Sequence, residues 1–225
     1  MSLDFGPVFD NLPFLVAGLE GTLKVSVGAI AVGAAMGLAI ALLRLSGSRA
    51  LRFAGGLYVD FVRSVPLLIL LVLFVYALPI VVEDLTGRTI RIDALLAGIL
   101  GLGLYAAAYL AEVFRAGILA VPSGQREAAL STGMTGRQAF RRVVLPQAAR
   151  KVIPPATSSI LSLVKDSSVT FAIAVPELMA KAGSLNNALQ RPNEVFLVVA
   201  LIYLVITYPL LLLSDWVQRR AAAAV

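Results

Sequence analysis

The stretch Val65–Val82, which reads VPLLILLVLFVYALPIVV, decides the fold class because it contains no charged residue. A second stretch of the same kind, Val195–Leu213, reads VFLVVALIYLVITYPLLLL. A helix of about 20 apolar residues spans the hydrocarbon core of a lipid bilayer, which is about 30 Å thick. The two stretches therefore predict that the chain crosses a membrane as α-helices.

The whole chain has the composition of a membrane protein, since 59% of its 225 residues are apolar and only 14% are charged. We predict an all-α membrane protein in which residues 1–225 form a single transmembrane domain. The fourth span has the weakest signal, because Pro154 and Pro155 stand near its start and Lys165 and Asp166 interrupt it. Five transmembrane helices are expected, roughly at 19–43, 57–82, 94–115, 150–175 and 195–216.

The 19 lysine and arginine residues are unevenly distributed between the two sides of these helices. Basic residues accumulate in the short cytoplasmic loops of membrane proteins. An outside N-terminus and a cytoplasmic C-terminus place 12 of them on the cytoplasmic side, 4 outside and 3 within the helices. The outside group consists of Arg88, Arg91, Lys181 and Arg191. The net charge of +6 therefore reflects membrane topology and is not evidence of nucleic-acid binding.

The residue types argue against catalysis by this chain. It contains no cysteine and no histidine, so thiolate chemistry and the commonest general base and metal ligand are excluded. It also has no glycine-rich phosphate-binding loop. We expect a protein that is not an enzyme, does not hydrolyse ATP itself, and binds neither a metal nor a cofactor.

The largest polar connection is the loop 122–147, which the charge distribution assigns to the cytoplasmic side. It is predicted to form two short helices, the first capped by Ser123 and ended by Gly133 in a left-handed conformation. Thr135 and Gln138 have the spacing of a capping box that begins the second helix. The arginines of the loop leave two interpretations open. The second helix either lies on anionic lipid or takes part in docking a soluble partner.

The same loop is similar to a known motif. Glu127-Ala128-Ala129, then Gly133, then Val143-x-Leu145-Pro146 resembles the EAA motif of permease subunits of binding-protein-dependent ABC importers. Val143 stands where that family usually has isoleucine. The resemblance extends from about Gly18 to Trp216 and narrows to the polar amino-acid permeases of the histidine, glutamine and arginine type. Three further stretches carry it: Tyr58–Leu68, Ala108–Gln125 and Ser162–Ser168.

The resemblance implies a type I permease of the bacterial inner membrane that works by alternating access. It also implies a second permease subunit, identical or related, two cytoplasmic ATPase subunits that use ATP and Mg, and an external substrate-binding protein that delivers a polar amino acid. Small residues in the loop would let a helix approach an ATPase closely. The residues expected at this coupling contact are Glu127, Ala128, Ala129, Gly133, Arg137, Leu145 and Pro146.

Polar residues inside the predicted spans are candidates for substrate binding. A charge near the bilayer centre costs about 2.5–3.5 kcal/mol on insertion scales, so it should face a wet cavity or a partner. An amino acid is a zwitterion and needs a cation for its carboxylate and an anion for its ammonium group. Structural ion pairs are the alternative, favoured for Glu112 because Arg115 lies three residues further on. The candidates are Arg63, Ser64, Glu112, Lys165, Asp166 and Ser167.

A secondary transporter or channel is the competing function, with Arg63, Glu112, Lys165 and Asp166 forming a path for ions or protons. Such a protein would work without an ATPase. The basic two-helix loop has no role in it, and the chain shows no inverted repeat of the kind common in secondary transporters. A membrane scaffold without transport activity would have little use for four charges inside its spans.

Overall fold

The computed structural model describes residues 3–89 and 92–223, and the side chains among them up to residue 220. Arg91, one of the residues expected outside, lies outside the described residues. Every regular element in the described ranges is helical. We number the helices α1 Gly6–Asp10, α2 Leu12–Arg44, α3 Arg49–Ser64, α4 Leu67–Thr86, α5 Ala94–Leu119, α6 Ser123–Ser131, α7 Gly136–Ile173, α8 Leu178–Leu189 and α9 Pro192–Ala223.

Four of the described helices, α2, α4, α5 and α9, are long and apolar enough to cross a membrane. The pair α7 and α8 also passes this test, with a bend of 53° between its two members, so the described residues hold four or five spans. The all-α prediction is confirmed. The helices extend beyond the predicted bounds, since α2 begins at Leu12 and α5 continues to Leu119.

The predicted second span, 57–82, is wrong at its start. The helix breaks where Val65 takes an extended conformation before Pro66, which begins the next helix. Proline disfavours the helical conformation in the residue that precedes it, and this explains the break. Residues 49–64 form the separate amphipathic helix α3, and α4 begins only at Leu67.

The helix that contains the predicted fourth span, 150–175, begins before that span. Helix α7 begins at Gly136, so Pro154 and Pro155 lie inside it. The helix narrows to a 3₁₀ helix from Ser167 to Ile173 and ends where Ala174 adopts a φ of 62°. The turn that follows leads into α8.

Small residues bring α2 and α5 into close contact, as the glycines of both helices predict. A methyl group added at Gly33 would lie 2.8 Å from the Cβ atom of Ala106. One added at Gly103 would lie 2.7 Å from Val32. The main buried cluster forms where this pair meets α4 and α7, around Leu71, Leu102 and Ile173 among others.

The helical bundle has two ends, named here the loop end and the opposite end. The loop end holds α6, the C-terminus of α2 and the C-terminus of α5. The opposite end holds α1, the start of α5 and the connection between α8 and α9. There, Arg191 forms an ion pair of 2.8 Å with Asp4 and joins the first residues of the chain to the start of α9.

Candidate substrate cavity and coupling loop

A cavity of about 420 Å³ lies between α5 and α7. This volume is in the range of pockets that bind small molecules. Two tyrosines come from α5, whereas the serines and a carboxylate come from α7. The lining residues are Tyr105, Ala106, Tyr109, Leu110, Ser158, Ser159, Ile160, Ser162, Leu163 and Asp166.

The polar groups of the cavity are arranged around the two tyrosines. The Tyr105 hydroxyl donates a hydrogen bond of 3.2 Å to the Tyr109 hydroxyl, and their ring centroids are 4.9 Å apart. The guanidinium group of Arg63, in the last turn of α3, stands 5.4 Å from the centroid of the Tyr109 ring. The cavity therefore has the Asp166 carboxylate in its wall and a cation beside one of its tyrosines.

The structure brings only some of the predicted substrate residues to this cavity. Asp166 lines it, and Arg63 reaches it through its contact with Tyr109. Ser64 and Lys165 are exposed and are not among its lining residues. Ser167 is buried, and its hydroxyl donates 2.7 Å to the carbonyl oxygen of Val164.

Glu112, the remaining candidate, belongs to an ion-pair cluster at the loop end. It pairs with Arg115 at 2.8 Å on the same helix and with Arg44 at the end of α2. The pair with Arg115 agrees with the structural interpretation. Arg44 could not be inferred from spacing, because it approaches only through the packing of α2 on α5.

Sequence reasoning missed most of the cavity wall. Tyr105 and Tyr109 are four residues apart and so share a face of α5. Ser158 and Ser162 have the same relation in α7. In each of two predicted spans, a pair of polar residues four positions apart was the signal in the sequence that could have predicted this wall.

The loop between α5 and α7 differs from the prediction at its first cap. Pro122 occupies the N-cap position of α6, so Ser123 lies inside the helix and caps nothing. Gly133 does have a positive φ, 84°, and a methyl group added there would meet nothing within 4 Å. The Thr135–Gln138 capping box is present, with bonds of 3.3 and 2.8 Å.

The second predicted loop helix is not a separate element. It continues through a π-helical turn, Phe140–Val144, into the body of α7. Leu145 and Pro146 consequently lie within the long helix. Val121, just before α6, forms a small buried cluster with Val144 and Ala148 of α7. The loop is one short helix packed against the first turns of a long one.

Most of the residues expected at the coupling contact are exposed on this unit. Glu127, Ala128, Gly133 and Arg137 are exposed, whereas Ala129 is buried. An open groove beside them is lined by Thr135, Arg137, Gln138, Arg141 and Arg142. The sequence contains no acidic residue between Glu127 and Asp166, so this surface is strongly basic.

Comparison with known proteins identifies this architecture. Residues 29–223 match the family described as "Binding-protein-dependent transport system inner membrane component". The chain is 37% identical over 213 residues to the probable glutamine ABC transporter permease protein GlnM of Bacillus subtilis (strain 168), covering 95% of each chain. It is 30% identical to the glutamate/aspartate import permease protein GltK of Escherichia coli O157:H7, covering 97% of this chain and 98% of GltK.

A solved structure agrees with these relatives. The crystal structure of an amino acid ABC transporter with histidines contains a chain that superposes with a TM-score of 0.87 at 33% identity, covering 98% of this chain and all of the other. The family match covers most of the chain, and its description implies an ATPase and a substrate-binding protein as partners. The chain therefore belongs to the family of binding-protein-dependent transport system inner membrane components, and it is a multi-pass protein of the inner membrane.

Proposed function

We propose that the chain is the permease subunit of an ATP-driven importer of polar amino acids, a single transmembrane domain with its N-terminus outside and its loop end in the cytoplasm. It pairs with a second permease subunit, two ATPase subunits and an external substrate-binding protein. It binds no cofactor, and the ATPase subunits use ATP and Mg. The family match and the named amino-acid permeases support this proposal.

The observation that carries the proposal is the polar cavity inside the span region of α7. Ser158, Ser162 and Lys165 are exposed along one stripe of this helix, next to the cavity. The Lys165 ammonium group does not face lipid at this depth, because nothing there satisfies its charge, whereas the Ser158 hydroxyl bonds to the carbonyl oxygen of Pro154 in its own helix. The stripe therefore faces a wet pathway that a second permease subunit closes from the other side.

The cavity has the chemistry that an amino acid requires. The Asp166 carboxylate is an acceptor for the ammonium group, and the Arg63 guanidinium beside Tyr109 is a donor for the carboxylate. The hydroxyls of Tyr105, Ser158 and Ser159 already donate hydrogen bonds within the protein. A purely apolar solute would therefore leave mainly the carboxylate and the guanidinium group without a partner.

Helix α7 connects the cavity to the proposed ATPase contact. Its residues from Gly136 to Asp166 extend about 45 Å at 1.5 Å per residue. Helix α6, on which Glu127 and Ala128 are exposed, contacts the first turns of this helix, and the open Gly133 lies between the two. A displacement of α6 by an ATPase would thus move the wall that carries Asp166.

The basic groove is better placed for a soluble partner than for lipid. From Lys151 to Ile173, α7 is about 37 Å long, enough to cross a hydrocarbon core of about 30 Å. Arg141 lies ten residues before Lys151 and therefore about 15 Å beyond it, whereas the headgroup layer is only about 5–8 Å thick. We infer that Arg137, Arg141 and Arg142 face an acidic partner surface in the cytoplasm.

The test is uptake of radiolabelled amino acids by vesicles that contain the permease, the ATPase and the binding protein. Asp166→Asn should lower ATP-driven uptake by about 10- to 100-fold, since it removes a charge-assisted hydrogen bond to the ammonium group. Asp10→Asn, the same change at an exposed carboxylate outside the cavity, is the matched control and should retain most activity. Concentrative uptake by the permease alone, without ATPase, would refute the proposal and support a secondary transporter.

A further inference from the structure

Glu177 is a fully buried carboxylate in the turn between α7 and α8, and it lines neither the substrate cavity nor the basic groove. A carboxylate in such a position is costly unless its oxygens accept hydrogen bonds. No described lysine or arginine forms an ion pair with it. The hydrogen bonds that this carboxylate accepts therefore have to offset the cost of its burial.

Three helices supply the hydrogen bonds of this carboxylate. Its Oε1 accepts 2.7 Å from the backbone N–H of Ala180 and so caps α8. Its Oε2 accepts 3.2 Å from the Tyr203 hydroxyl of α9 and 3.4 Å from the Thr22 hydroxyl of α2. The Thr22 oxygen in turn accepts 3.2 Å from the backbone N–H of Leu178. One side chain thus joins α2, α8 and α9.

The backbone of the turn is seated in a notch of α2. A methyl group added at Gly21 would lie 2.2 Å from the carbonyl oxygen of Pro176, and one at Gly18 would lie 2.8 Å from the Cα atom of Leu178. The two glycines precede Thr22 on the same helix. The turn and α2 therefore fit together through backbone contact as well as through the carboxylate.

The nearby charged groups have other partners. The Lys181 ammonium stands 4.5 Å from the centroid of the Phe14 ring, and Lys24 pairs with Glu20 at 2.6 Å. The hydrogen bonds of Glu177 are therefore the polar connection between the turn and its neighbours.

We propose that Glu177 is a positioning residue that clamps the turn after α7 to α2 and α9 throughout the transport cycle. The three elements α2, α8 and α9 then move as one body. Bending of α7 falls in its 3₁₀ segment, Ser167–Ile173, which lies between the clamp and Asp166. The clamp gives α7 a fixed end, against which the movement of the loop end reorients the cavity wall. The inference rests on the proposed transport function.

Single variants test whether the hydrogen bonds matter. Glu177→Gln keeps an acceptor for the Ala180 N–H and offers an amide to the two hydroxyls, so uptake should stay within about threefold of the wild type. Glu177→Ala leaves the Ala180 N–H and the Tyr203 hydroxyl without their acceptor, whereas Thr22 can still donate to the carbonyl oxygen of Gly18. It should lower the maximal uptake rate at least tenfold, with a smaller effect on KM. Asp10→Ala, which removes an exposed acid at the opposite end of the bundle, is the control and should behave as wild type.

The decisive variant is the pair Thr22→Cys and Glu177→Cys, because the chain has no cysteine of its own. The Thr22 hydroxyl oxygen lies 3.2 Å from the backbone nitrogen of Leu178, next to Glu177, so the two backbones approach closely here and an oxidised pair would replace the clamp with a covalent bond. The oxidised protein should transport at close to the wild-type rate, and reduction should lower its activity to that of Glu177→Ala. Titration of free thiols, expected to give none after oxidation, verifies the bond.

Other outcomes would overturn the inference. If the oxidised pair is blocked and the reduced pair is active, the contact opens during transport and is a gate. Equal activity or equal inactivity of the oxidised and reduced forms would also contradict a permanent clamp. If no bond forms, equal uptake by Glu177→Gln and Glu177→Ala contradicts it instead. Thermal denaturation of the purified variants, with Glu177→Gln above Glu177→Ala, tests the clamp without transport. A wild-type protein that shows no ATP-driven uptake would refute the proposed function instead.

Discussion

Replacing Glu112 by alanine should destabilise the protein more than replacing either of its arginine partners. One carboxylate neutralises two guanidinium groups, those of Arg44 and Arg115. The side chains of Glu112, Arg44 and Arg115 are 21%, 18% and 30% exposed, so the cluster lies between a surface ion pair and a buried one. Glu112→Ala leaves the two guanidinium groups without their shared ion-pair partner, whereas Arg44→Ala or Arg115→Ala still leaves one complete ion pair with Glu112.

The magnitudes follow from this arrangement. Breaking a buried ion pair from one side costs about 3–5 kcal/mol, and the partial exposure of the cluster reduces this to about 2–3 kcal/mol for Glu112→Ala. Arg44→Ala removes the link between α2 and α5 and should cost about 1–2 kcal/mol. Arg115→Ala removes an i, i+3 pair within one helix and should cost about 0.5 kcal/mol.

Reversible unfolding by SDS in mixed micelles measures these differences. The double variant Arg44→Ala with Glu112→Ala should be less destabilised than the sum of its parts, with a coupling energy of about 1–2 kcal/mol. Ionic strength should reduce the Arg115 effect more than the Arg44 effect, because Arg115 is the more exposed. An additive double variant, or a cost for Glu112→Ala no larger than that for Arg115→Ala, would refute the reasoning.

Two further changes test the loop and the opposite end of the bundle. Gly133→Trp should uncouple ATP hydrolysis from uptake by at least tenfold, because the space around the site is open in this chain and an indole there obstructs a partner. Any side chain is strained at the φ of 84°, so Gly133→Ala, which has the strain without the bulk, is the control. Normal uptake by Gly133→Trp, or an equal loss in both variants, would show that Gly133 merely ends α6. The Gly6 backbone N–H and the Arg191 guanidinium hold the pKa of Asp4 below its usual range. The stabilisation from this contact is therefore present above the ordinary aspartate pKa of 3.8 and is lost as the pH falls through the lowered value. Cleavage of the N-terminal segment by an acid protease should rise over that range in the wild type, and Asp4→Asn should remove this dependence.

The sequence was sufficient for features that depend on neighbouring residues. Apolar length predicted helices across the bilayer, and the Thr135–Gln138 spacing predicted a capping box that is present. The left-handed Gly133 followed from the conformational freedom of glycine at a helix end. Each of these depends on contacts within about four residues.

The errors occurred where a local signal was overridden or a partner was distant in the chain. Pro154 and Pro155 suggested a helix start, but neighbouring helices hold α7 together around them. Pro66 interrupts the helix within the stretch 57–82, which hydropathy alone predicts to be one continuous helix. Arg44 meets Glu112, and Thr22 meets Glu177, only after the helices have packed. No spacing rule connects residues 155 positions apart.

The position of the π-helical turn is informative about how force would travel along α7. A π turn adds one residue to a helical turn and is a local weakness in an otherwise continuous helix. Here it lies at Phe140–Val144, where Val144 packs against Val121 at the start of the loop, so this packing supports it. The 3₁₀ segment at the other end contains two buried hydroxyls, those of Ser167 and Thr170, which bond to the backbone of their own helix. A 3₁₀ helix has poorer hydrogen-bond geometry than an α-helix, so the proposed bend of α7 falls there, and it must repack the main buried cluster, to which Ile173 belongs.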